Sequence, residues 1–164
     1  MTGDDPVREG MEGLEVLFRE GLAARQAGQR AAAVGAYRAI LKRDPRLAEP
    51  YLELATLAAE DGDLDEAEAL ARSGVAQLRL GNQWTDDLGE GQLLAFALNL
   101  LGEVLLQKAE DTIEVDTPAF VAQWNEASTL FREALAHDPA DAHARSNALH
   151  CRPLGPDGRP IRER

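Results

Sequence analysis

Small side chains recur in this chain at a spacing of 34 residues: Gly21 falls on Ala55, Gly28 on Gly62 and Ala33 on Ala67. A small residue in each of two helices lets their backbones approach closely, and a glycine between them supplies the turn. A chain that repeats this arrangement builds successive helical hairpins, each burying its apolar face against the next. No stretch alternates apolar and polar residues for long, so strands are not expected. With aromatics at only 5% of the chain, the core has to be built from Ala and Leu, which suits close helix packing.

Helical spacing runs through the whole sequence. The first helix is predicted from the Asp5-Pro6 cap to about residue 27, with Val7, Met11, Leu14, Leu17, Phe18 and Leu22 apolar. The second covers about 29–43 and stops at Asp44-Pro45, because proline turns its predecessor away from helical geometry. A third helix covers 47–60, and Asp63 with Glu66 gives a capping-box signature for a fourth reaching about 80. After a polar loop, Asp87 and Glu90 suggest the cap of a long fifth helix to about 108, apolar all round and therefore heavily buried. A linker from Glu110 to Asp116 leads to Thr117-Pro118, which opens a sixth helix ending near 137. A short seventh helix covers 141–149. The tail 151–164, with three Pro, two Gly and four Arg, has little to pack and reads as disordered.

Taken with the hairpin pattern, these residues resemble the tetratricopeptide repeat (TPR) family, a 34-residue helix-turn-helix unit. Repeat one, at about 14–47, supplies Gly21, Ala33, Tyr37 and Pro45; repeat two, at 48–81, supplies Tyr51, Leu54, Ala55, Ala67 and Gly74. Repeat two has Ala71 where the family has an aromatic. Repeat three, at 88–139 and matching from about Ala95, supplies Leu101, Gly102, Ala127, Phe131, Ala134 and Pro139. It is longer: Gly102 to Ala127 is 25 residues, where Gly21 to Ala33 is 12. Residues 140–150 would cap the array. The resemblance implies an all-α fold, a right-handed superhelix of antiparallel helix pairs forming a TPR-like α-solenoid, whose first helices line a concave groove.

Carried over position by position, the family's groove residues are Glu15, Phe18, Leu22, Arg25 and Gln26 in repeat one. Repeat two gives Glu49, Leu52, Thr56, Ala59 and Glu60, and repeat three gives Phe96, Asn99, Glu103, Leu106 and Gln107. The resemblance thus implies a non-catalytic adaptor that binds a peptide segment or helix of another protein, apolar anchors and basic flanks meeting an apolar and acidic groove. Some family members clamp acidic C-terminal peptides with Lys, Asn and Arg. The matching positions here are Phe18, Leu22, Thr56 and Asn99, which does not support that activity.

Charge sharpens the expectation. Residues 44–141 carry five basic and twenty-one acidic groups, a net charge of -16 that repels phosphate backbones and argues against nucleic acid as partner. No apolar run reaches the roughly 18 residues of a membrane span. The acidic, polar N-terminus does not read as a secretion signal. One cysteine, Cys151, excludes an internal disulfide, and a reducing cytoplasm is the expected setting.

No cofactor is expected, for no phosphate-binding glycine loop occurs. Asp61, Asp63 and Asp65 begin like a calcium loop, but Glu66 and Arg72 stand where it needs Gly and Glu. His137, His143, His150 and Cys151 would suit a metal-dependent regulator or enzyme, although scattered histidines rarely converge as metal ligands. Size and acidity would also suit a small secretion chaperone, and the acidic faces a self-assembling oligomer. Trp84 and Trp124 are expected to plug the seam between repeats two and three. Arg152, Arg159, Arg162 and Arg164, with Ile161, could occupy the acidic groove of their own or a neighbouring chain and gate it.

Overall fold

The computed structural model describes residues 6–85, 87–89 and 91–161, with side-chain surroundings from residue 10 onward. Seven helices stand among them: α1 Pro6–Gln26, α2 Arg30–Arg43, α3 Ala48–Glu60, α4 Leu64–Arg79, α5 Gln92–Thr112, α6 Thr117–His137 and α7 Ala142–His150. They pair as antiparallel hairpins, α1 with α2, α3 with α4 and α5 with α6. Each hairpin packs on the next through α2 against α3 and α4 against α5, and α7 closes the stack on α6. This is the all-α helical-pair solenoid expected from the 34-residue pattern.

The hairpins close where small residues meet large ones. A Cβ placed on Gly21 would lie 2.6 Å from the Tyr37 ring, and one on Gly102 would lie 2.6 Å from the Phe131 ring. Both rings are fully buried. The middle hairpin solves the same problem in reverse. Ala71 stands where the aromatic would be, and Leu52 on the first helix instead reaches Gly74 on the second, 2.5 Å from where a Cβ would sit. The turns at Gly28 (φ 71°) and Gly62 (φ 78°) take the left-handed conformation that glycine adopts without strain.

Side-chain caps hold the starts of α4, α6 and α7, at Asp63, Asp116 and Asp141. Asp63 accepts the Glu66 N–H at 3.1 Å, but the Glu66 carboxylate, rather than closing the capping box, pairs with Arg38 of α2 at 2.8 Å. The sixth helix is capped by Asp116, which accepts the Ala119 N–H at 3.0 Å, so Thr117 lies inside the helix rather than at its cap. The fifth begins after Gly91 with no side-chain cap, which corrects the cap expected at Asp87. The caps expected at Asp5 and Glu90 fall outside the described residues. Although α5 carries more buried residues than any other helix, it is not covered all round, since Phe96 is 48% exposed.

The extra length of the third hairpin goes into helix rather than loop. Past Gly102, α5 runs ten residues to Thr112, and α6 starts ten before Ala127; the matching distances in the first hairpin are five and three. The linker expected from Glu110 therefore shrinks to 113–116. The hairpin consequently overhangs its neighbours by one to two turns, and the segment after α7 covers the exposed flank. The disordered tail expected over 151–164 is thus corrected for 151–161. Cys151 and Leu154 are buried, Leu154 pairs with Pro160 in an antiparallel bridge, and Leu154 joins Ala109 and Phe120 in an apolar cluster. Trp124 Nε1 donates to the Arg152 carbonyl at 2.6 Å, and Asn125 exchanges two hydrogen bonds with the Leu154 backbone. Composition points to disorder because it counts prolines and arginines, whereas two apolar side chains suffice to dock the segment on a ready surface.

Candidate functional site

The first helices of the hairpins lie side by side on one face. Arg25 of α1 reaches α3 directly, its guanidinium 2.6 Å from Glu53 and 3.3 Å from Glu60. Arg30 adds bonds to Glu60 at 2.9 Å and Asp61 at 2.8 Å, and donates to the Leu57 carbonyl. Burial works against the Arg25 charge, yet Glu53 and Glu60 more than offset it, so its pKa is raised. Beneath this network the Tyr37 hydroxyl donates to Glu53 at 3.4 Å, and burial with the Glu53 charge pushes the phenol far above its ordinary range.

None of the three carboxylates expected to make the groove acidic stands free. Glu60 is shared by Arg25 and Arg30. Glu103 faces α7, accepting from Asn147 at 3.0 Å and from Asn99 at 3.2 Å, and contacts His143 Nε2. Asn99 itself is buried and accepts from Asn147 at 3.1 Å. The capping helix therefore occupies the Asn99–Glu103 part of the expected surface.

Glu49 is buried, 6% exposed, under the loop that joins α4 to α5. One carboxylate oxygen, Oε1, accepts the Trp84 N–H at 2.8 Å, the Thr85 N–H at 2.8 Å and the Thr85 hydroxyl at 3.2 Å. The Trp84 ring meets Phe18 edge-on, with centroids 5.4 Å apart, and Phe18 in turn packs on Tyr37 at 5.7 Å. Leu52 is buried in the hairpin core against Gly74, so it presents nothing to the groove. Of the expected surface, this leaves Leu22, Thr56, Ala59 and Leu106 half-buried and Gln26, Phe96 and Gln107 exposed, with Glu15 exposed and paired to Arg19 at 3.2 Å.

Trp84 thus seals repeats one and two, not the seam between two and three. Trp124 packs on Phe120 and His150 in the third hairpin. The strap formed by the inserted loop is not legible in the sequence; the signal available is an isolated tryptophan in a polar insertion. The C-terminal group does not converge: Cys151 Sγ contacts the Trp124 carbonyl, His150 lies against the Trp124 ring and His143 pairs with Glu103. Burial raises the Cys151 thiol to about 11. Arg152 and Arg159 sit with the tail docked on α6, so they do not occupy this chain's own groove as expected; Arg162 and Arg164 lie outside the described residues. No helix among the described residues is long and apolar enough to cross a membrane.

No family model and no curated protein matches the sequence. Solved structures do. The Arabidopsis OM64 TPR domain superposes with a TM-score of 0.62 at 21% identity, over 87% of this chain and 97% of that one. The N-terminal domain of stress-induced protein-1 (STI-1) from C. elegans gives 0.64 at 17%, over 87% and 96%. The first TPR of Spaghetti (RPAP3), bound to the HSP90 peptide SRMEEVD, gives 0.62 at 18%, over 84% and 89%.

The fold is that of a TPR domain. The TPR register therefore assigns α1, α3 and α5 as the first helices of three repeats wound into a right-handed superhelix, and α7 as the cap. The loop after α4 covers Phe18 and Glu49, while Phe96 on α5 is exposed.

Proposed function

We propose that this chain is a non-catalytic adaptor that holds an apolar helix or extended segment of another protein at the repeat-three end of its groove. The observation that carries the reading is Phe96: a large apolar side chain, 48% exposed, on a helix whose neighbouring apolar residues are packed. Farther along the same helix Leu106 is half-buried and Gln107 exposed. Aromatic side chains are enriched at protein interfaces, and an exposed one offers an anchor point for an apolar partner.

The ligand differs from the acidic peptide carried by the Spaghetti domain. Phe18, Leu22, Thr56 and Asn99 bring no cation to the positions of a carboxylate clamp, and Arg25 is already engaged by Glu53 and Glu60. With Glu49, Glu60 and Glu103 also engaged, apolar contact rather than acidic attraction dominates at the open end. Affinity capture with wild type beside Phe96→Glu, followed by titration of the captured protein, tests this. The expected result is at least about a 30-fold loss of affinity in the variant, the scale of an interface hot spot. Equal binding by both proteins refutes the reading.

A further inference from the structure

We propose that the loop residues 82–85 form a displaceable strap over the repeat-one and repeat-two end of the groove, and that the partner segment replacing it carries an aromatic residue followed closely by a Lys or Arg. The proposal rests on the groove reading above and extends it to a second subsite. The strap displays what that subsite holds: an aromatic ring set edge-on against Phe18, and two consecutive backbone N–H groups received by Glu49 Oε1.

It also leaves Glu49 incompletely bonded. Glu49 is 6% exposed, yet its Oε2 has no hydrogen-bond partner among the described residues, and Oε1 is held by amides and a hydroxyl rather than by a Lys or Arg. A buried carboxylate oxygen without a donor is costly, and a charge-assisted bond from a cation is the strongest remedy. The strap cannot supply one. Residues 82–85 include no Lys or Arg, and the next two residues in the sequence are acidic. A segment with the same aromatic followed by basic residues would keep the ring contact and the amide bonds and complete Glu49. Because the strap competes for the site, the affinity seen for any such segment is lowered by the fraction of molecules in which the strap is off.

The test uses the full chain and a labelled synthetic peptide copying residues 81–89 with Asp86→Arg and Asp87→Arg, read by fluorescence anisotropy. A control peptide carries Glu at both places. The basic peptide is expected to bind Trp84→Ala at least about tenfold more tightly than wild type, since loss of the anchor frees the site. Glu49→Gln added to Trp84→Ala is expected to reverse that gain, and the acidic peptide to bind neither protein. Trp84→Phe, which keeps an aromatic on Phe18, is expected to behave as wild type, and thermal melts confirm that each variant is folded. Equal affinity for wild type and Trp84→Ala, or indifference to Glu49→Gln, overturns the strap. Phe96→Glu separates the two readings. If the strap variants are silent while Phe96→Glu still abolishes partner binding, the subsite fails and the groove stands; if the peptide results hold while Phe96→Glu is silent, the open-end reading fails instead.

Discussion

The two ends of the groove carry the same kind of residue in opposite states. At the repeat-one end Phe18 lies between Tyr37 and Trp84, and the neighbouring carboxylate is spent on the amides of the covering loop. At the repeat-three end Phe96, about one turn nearer the start of its helix than Phe18 in the TPR register, is left 48% exposed. The difference comes from where the inserted residues go. Those between repeats two and three fold back over the first helices. Those inside repeat three lengthen a hairpin, and the C-terminal segment covers the flank that results. One insertion covers the first helices of repeats one and two; the other adds core and leaves Phe96 exposed.

The largest effect expected from this contrast is at the C-terminal segment. Ending the chain after His150 removes buried Cys151 and Leu154 and bares Phe120, costing about 3 kcal/mol in urea denaturation. Partner binding at the groove should not change, because the segment lies on α6. An intact stability in the truncated protein would break the comparison by making the tail a bystander. Trp84→Ala comes next: loss of a half-buried aromatic should cost about 1–2 kcal/mol. Phe96→Ala, at the open end, should stay within about 0.5 kcal/mol. Equal costs for the two would mean that both ends are closed.

A smaller effect concerns the seam beneath both ends. Lys108 of α5 pairs with Glu68 of α4 at 2.8 Å, and Glu68 also holds Arg72. Burial raises the Glu68 pKa, but the bonds and charges of Lys108 and Arg72 outweigh it and hold the carboxyl below its ordinary 4.5. A depressed carboxyl contributes stability that is present above its unfolded value and lost as pH falls through the folded one. Melting temperature should therefore drop below about pH 4.5, and Lys108→Met should flatten part of that drop.

Much of the fold is legible in the sequence because packing in this chain is written locally. Gly21, Gly28 and Ala33 set the hairpin, and their counterparts in the next repeat set the period. Ala71 reads as a lost aromatic, since only coordinates reveal that Leu52 and Gly74 exchange the large and small roles. The site is less legible. Glu49, Glu60 and Glu103 read as free acids because their partners come from elsewhere: loop amides, two arginines from the preceding hairpin, and the capping helix. A backbone N–H leaves no trace in a sequence, so nothing at Glu49 announces the strap. Trp84 stands out by its size, but size alone does not say which seam a side chain fills.

The central claim is a groove closed at one end by its own loop and open at the other. Amide hydrogen exchange at Thr85 tests it most directly. The N–H is held by Glu49 Oε1 at 2.8 Å, so protection well above that of an unstructured peptide is expected in wild type, falling sharply in Glu49→Ala. Exchange at the unstructured rate in the wild-type chain would contradict the account.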